Sequence, residues 1–166
     1  MRKHCLATEA IMRALARRLG EDPELWGITG LVHDLDFEQT AEAPAEHTKA
    51  TCETLRPRGF PDEALQAIRE HNAEALGIER QSKMGIALAS AETLTGLIVA
   101  TALVYPDKRL ASVKPSSVLK RMKKKDFARA VNRDIIRECE GLDIPLEEFV
   151  ALSLEAMEGI ADDLGL

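Results

Sequence analysis

Apolar positions recur every three or four residues along most of the chain, and no run of strict alternation marks a strand. Ile11, Leu15 and Leu19 share one face of a helix over residues 4–19, which Gly20 ends. Asp22-Pro23-Glu24 stands in the order of cap, first-turn proline and acidic first turn, opening a helix through Leu25, Trp26, Ile28 and Leu31 toward His33-Asp34. After a loop with Pro44, residues 45–55 read as a third helix closed by Arg56-Pro57-Arg58-Gly59, and Pro61-Asp62-Glu63 opens a fourth carrying Leu65, Ile68 and His71. The longest apolar segment, residues 84–104, is interrupted by Ser90, Glu92, Thr93, Thr95 and Thr101, which marks a buried core helix rather than a membrane span. Helices over residues 115–124, 126–140 and 145–164 complete the pattern. The expectation is an all-α fold, one compact domain of about seven or eight helices over residues 1–166, with no repeat that would make a solenoid.

Composition agrees with a single packed core: 166 residues, 45% hydrophobic and 30% charged, exceed what disorder or a collagen-like chain would show. Met1-Arg2-Lys3-His4-Cys5 carries no apolar run ahead of the first amphipathic helix, so no signal peptide is read there and a cytoplasmic protein is expected. Cys5, Cys52 and Cys139 are odd in number and share no ligand spacing, as suits reduced structural thiols.

Charge is unevenly spread. From Lys108 to Arg133 there are ten basic residues against Asp126 alone, so a chain of net charge −6 carries +9 there and −15 elsewhere. Lys123, Lys124 and Lys125 are the candidates for binding a phosphorylated substrate through that field. The segment is equally readable as a solvated helical face, because Tyr105 and Phe127 do not interleave it with the aromatics that would stack nucleic-acid bases.

The chemistry concentrates in the histidines. All four, His4, His33, His47 and His71, lie in the first half of the chain, each on a different predicted helix or helix end, and Asp34 follows His33 directly. Neutral imidazole and carboxylate are ligands for first-row divalent metals. No two histidines are closer than 14 residues, so the zinc-protease helix motif is absent and a site must be assembled by tertiary packing. Adjacent residues of a regular helix point about 100° apart, so His33 and Asp34 can serve one centre only where the helix is ending. Asp34 has two oxygens and can bridge two cations. Gly20, Gly27, Gly30 and Gly59 form no phosphate-binding glycine loop.

The order His4, His33-Asp34, His47, His71 and then an acid on a long apolar helix resembles the HD-domain superfamily of metal-dependent phosphohydrolases. Residues 26–36, Trp-Gly-Ile-Thr-Gly-Leu-Val-His-Asp-Leu-Asp, are similar to the family segment that brings in the His-Asp pair, and Glu92-Thr93-Leu94-Thr95-Gly96-Leu97-Ile98 looks like the helix that supplies the last ligand. The likeness covers residues 1–105, leaving a basic and then amphipathic part over 106–166.

The resemblance implies that His4, His33, Asp34 and Glu92 hold one ion while His47 and His71, with bridging Asp34, hold a second. The family position matched by Glu92 usually carries the shorter Asp. One or two divalent ions are implied, of Mn, Fe, Mg, Zn, Co or Ni. Hydrolysis of a small phosphoester follows, a nucleotide among the candidates, with His33 and Asp34 at the reacting centre and no membrane partner. Two other readings stay open: a di-iron oxygenase on the same fold, and a non-catalytic nucleotide- or RNA-binding module with a structural metal. Asp36 and Glu74, acids beside the ligand positions, are candidates for supporting the ligands or moving a proton.

Overall fold

Ile11, Met12 and Leu15 form the wholly buried stripe of α1 (Arg2–Leu19), which ends at Gly20 in a left-handed turn at φ 73°. Asp22 caps α2 (Pro23–Val32), its carboxylate accepting the amides of Glu24 and Leu25 at 2.8 and 3.3 Å. The two helices pack against each other. A Cβ at Gly30 would lie 3.0 Å from Met12 Cγ and 3.1 Å from the Thr8 carbonyl oxygen, so glycine is what lets α2 approach α1 so closely. That approach brings His33, just beyond the end of α2, beside His4 on the first turn of α1, with ring centroids 5.3 Å apart.

In the computed structural model, which describes all 166 residues, a single turn, α3 (Phe37–Thr40), precedes α4 (Lys49–Leu55), α5 (Asp62–His71), the single turn α6 (Ala73–Leu76) and the 21-residue α7 (Lys83–Leu103). Beyond α7 come α8 (Pro115–Met122), α9 (Arg133–Arg137), α10 (Leu146–Glu158) and the single turn α11 (Ala161–Leu164). The chain is all-α without strands, as expected; four 3-10 turns link its eleven α-helices, eight of which exceed one turn.

α7 is the axis of this arrangement. It packs against α1, α5, α8, α9 and α10, and one cluster of 34 buried residues runs from Ala7 to Leu164 around it. By length and composition α7 could cross a membrane, yet 61% of its most apolar stretch is buried inside the protein. Its N-terminus is held by Ser82, whose hydroxyl accepts the Gly85 amide at 3.0 Å and donates to buried Glu70 of α5 at 2.5 Å.

Three predicted helices differ from those observed. The segment 45–55 breaks into a 3-10 turn at Pro44–Glu46, an extended His47, Thr48 at φ 80° and only then α4. The Asp36 carboxylate causes the break by accepting the amides of Thr48 and Thr51, both at 3.1 Å, and so caps α4 from outside its own sequence. The predicted helix over 126–140 is a loop as far as Asn132, whose side chain caps the short α9. That loop wraps the Arg133 guanidinium, which donates to the carbonyls of Ala128, Val131 and Phe127 and replaces helical hydrogen bonds there. The helix over 145–164 stops at Glu158 and resumes at Ala161, the break falling at Gly159, a poor interior helix residue. Cys5, Cys52 and Cys139 are unpaired thiols.

Leu94, wholly buried at mid-helix in α7, tests the axial role. Leu94→Ala removes its packing and leaves a cavity, and should lower unfolding stability by about 3 kcal/mol in a urea titration.

Candidate metal centre

Each histidine reaches one point from a different element, and local chemistry sets which nitrogen faces it. His33 and His71 stand at the ends of α2 and α5, and each ring donates Nδ1–H to the carbonyl three residues earlier, Gly30 at 2.8 Å and Ile68 at 2.5 Å. A carbonyl can only accept, so these bonds place the proton on Nδ1 and leave Nε2 as a lone pair in the neutral ring. His47 Nδ1 lies 2.7 Å from the Asp36 carboxylate, with the same consequence. For His4 the partner is the Thr95 hydroxyl at 3.0 Å; that hydroxyl donates its own proton to the Glu92 carbonyl at 2.6 Å and accepts from His4 Nδ1. By this hydrogen-bond assignment, all four neutral rings turn Nε2 lone pairs toward Asp34.

Asp34 divides them between its two oxygens. Oδ2 lies 3.4 Å from His33 Nε2 and 3.7 Å from His4 Nε2, while Oδ1 lies 3.1 Å from His47 Nε2 and 3.4 Å from His71 Nε2. The ligand atoms of His4, His33 and Asp34 fall within 4.8 Å of one another, as do those of Asp34, His47 and His71. Lone pairs gathered around a carboxylate repel unless cations lie between them, and His33 Nε2 is buried with no hydrogen-bond partner. The donor set of imidazole nitrogens and carboxylate oxygens fits a divalent transition metal.

The protonation preferences have distinct causes. Burial pushes His33 down to about 3 despite the pull of Asp34, so its ring is neutral through the physiological range. Burial also lowers His4. For His47 burial opposes the charge, but hydrogen bonds and charge from Asp34 and Asp36 outweigh it and raise the pKa. Burial likewise works against ionisation of Asp34, yet the surrounding His47, His71 and His33 hold its carboxyl well below the usual carboxylate range.

Glu92 stands at the edge of the first group. Its Oε2 lies 3.8 Å from His4 Nε2, Oε1 accepts the Thr93 hydroxyl at 2.5 Å, and burial raises its carboxyl above the usual value. Asp36 is buried and joins His47 to the start of α4. Glu74, by contrast, is committed to Arg80, with both carboxylate oxygens accepting from Nη2 at 3.0 and 2.9 Å, and has no contact with the cluster.

Lys123, Lys124 and Lys125 are not brought to the cluster. They are exposed beyond α8, where Lys124 lines a hollow with Val104, and Val104 is twelve residues from Glu92, roughly 18 Å along the helix axis. Nearby, the Arg121 guanidinium lies 5.2 Å from the Phe127 ring centroid and 6.0 Å from that of Tyr105, which occupies both aromatics.

Two supporting residues escape a reading of ligand types alone. Thr95 orients His4, and its signal is its place three residues after Glu92, on the same face of one helix. Arg80, its side chain only 4% exposed, donates to the carbonyls of Glu70 and His71 at 2.9 and 3.4 Å and to both Glu138 oxygens at 2.7 Å, tying the end of α5 to the C-terminal half. No local pattern marks it.

Asp36→Ala should remove a cap and the orientation of His47 together. Stability should fall by about 2 kcal/mol, and the affinity of the His47–His71 group for an added divalent ion by 10- to 100-fold, read by denaturation and metal titration. Proton and cation compete for His47 Nε2, so its raised pKa means the competition begins above the ordinary histidine value near 6.5 and strengthens as pH falls. Metal content measured from pH 8 to pH 5 should decline through that window, although His33 stays neutral across it.

The HD domain family model matches residues 1–102, which includes every histidine and Glu92. No curated protein and no solved structure matches the chain. With well over half of its length matched, and the His-Asp pair at the centre of a convergent cluster, the chain belongs to the HD domain family.

Proposed function

We propose that the protein is a metal-dependent phosphohydrolase that cleaves a small phosphoester with water. The observation that carries this reading is the split carboxylate of Asp34, whose two oxygens face two separate sets of imidazole nitrogens. His4, His33 and Asp34 would hold one divalent ion with Glu92 beside His4, and Asp34, His47 and His71 a second. Bound there, divalent cations would supply Lewis-acid polarisation of a phosphoryl oxygen and activation of water near neutral pH.

The chain's own groups account for the rest. Gly30, Ile68, Asp36 and Thr95 fix the ring orientations, so little reorganisation is needed when charge develops on the phosphoryl group. The water oxygen joins phosphorus and gives up a proton, the bond from phosphorus to the organic oxygen breaks, and that oxygen leaves with the electron pair and takes up the proton the water has lost. Glu92 and His4, each about a quarter exposed, lie at the open edge of the cluster, whereas His33 closes its buried side.

Asp34→Ala should reduce both metal content and phosphoester turnover at least tenfold; full occupancy with full turnover would rule the assignment out. At Glu92, the conservative pair discriminates charge from reach. Glu92→Gln should retain less metal than Glu92→Asp by elemental analysis, because only the second keeps an ionisable oxygen near His4. A protein that takes up iron and consumes oxygen, with no phosphatase activity toward a panel of phosphoesters, would instead be an oxygenase.

A further inference from the structure

Beside His4 a groove of about 550 Å³ opens between the first turns of α1, the outer face of α7 and the last residues of the chain. Its α7 wall is a single stripe. Gly96, Val99, Ala100 and Leu103 follow Glu92 at helical spacing, and they run from the edge of the cluster for about 16 Å along the axis. Ala7 and Leu166 face them. Val99 packs against the core, but Leu103 is 49% exposed, so the far end of this apolar stripe is open.

The polar side chains here are few and mostly committed. His4 and Thr95 form the end nearest the cluster and are bonded to each other, and the Thr95 hydroxyl proton goes to the Glu92 carbonyl. Lys3 is the one cationic side chain on the lining, and no acidic side chain lines it. A nucleobase is recognised by donors and acceptors set against its edge, and the Lys3 ammonium is the one uncommitted side-chain donor on these walls. They suit a hydrocarbon group.

Gly96 is part of this wall. Glycine in the middle of a helix is unfavourable relative to alanine, and close packing usually explains it. Here a Cβ would meet only Val131 Cγ2, at the ordinary distance of 3.4 Å, so the fold itself does not demand glycine.

We infer that the groove binds the apolar organic group of the substrate, so that the chain acts on a phosphomonoester carrying an extended aliphatic chain. The inference rests on the proposed phosphohydrolase reading, which places the phosphoryl group at the cluster, with the hydrocarbon lying along Gly96, Ala100 and Leu103.

Equilibrium binding of non-hydrolysable phosphonates to the metal-loaded protein separates the two. Octylphosphonate should bind at least a hundredfold more tightly than methylphosphonate, well within what seven buried methylenes can provide. Gly96→Phe and, as a second variant, Ala100→Phe should each shrink that ratio to below about fivefold by filling the groove. Equal affinities for the two phosphonates, a ratio that survives both variants, or adenosine monophosphate binding more tightly than octylphosphonate would each overturn the assignment. If the octyl preference is present and lost in the variants but octyl phosphate is never hydrolysed, the groove assignment stands and the phosphohydrolase reading fails.

Discussion

The structure depends on one buried carboxylate surrounded by neutral nitrogen. Asp34 lies 3.1–3.7 Å from the Nε2 atoms of all four histidines, and every one of those rings has its opposite nitrogen bonded elsewhere. Such a set of aligned lone pairs is electrostatically unfavourable unless protons or cations occupy it. The surrounding fold must therefore hold the rings in place against their own repulsion. It anchors His33 and His71 at helix ends, where free carbonyls accept a ring proton from three residues on, and holds His4 and His47 through the side chains of Thr95 and Asp36.

The same constraint explains the less regular parts of the N-terminal half. His47 could not face Asp34 from within a continuous helix over 45–55, and the chain departs from helix at this residue, with Thr48 in the left-handed region. Asp36 stabilises that departure by accepting two amides of the following helix as well as the His47 ring. Gly30 serves the same end by removing the bulk that would separate α2 from α1, and hence His33 from His4. Arg80 extends the support outward. Its buried guanidinium binds carbonyls at the end of α5 and the carboxylate of Glu138, so the C-terminal helices brace the turn that presents His71.

The cluster is also asymmetric. On its inner side His33 is wholly buried, and its ring stays neutral because burial penalises the charge. On its outer side His4 and Glu92 are partly exposed, and His4 also lines an apolar groove that includes Lys3. A closed inner wall and an open outer one give a ligand a single direction of approach. Lys123, Lys124 and Lys125, despite their density of charge, are exposed beyond α8, and Lys124 lines a hollow with Val104 past the end of α7 rather than the cluster.

Periodicity and caps were sufficient for the all-α class, the long central helix and the start of α2 at Asp22, because these depend on local spacing and on side chains bonding to their own backbone neighbours. The His-Asp order and the family likeness were legible for the same reason: residue type and succession are properties of the chain. The break at His47 was not, since the group that causes it, Asp36, lies eleven residues earlier and acts only once the chain has turned back. Nor was the loop over 123–132, where Arg133 takes the carbonyls that a helix would have used. Sequence by itself determined which ligands exist and the order in which they occur. Only the tertiary structure decided that Asp36 supports the cluster and Glu74 does not, for two acids within three residues of a candidate ligand differ in which partner, His47 or Arg80, folding brings within hydrogen-bond reach.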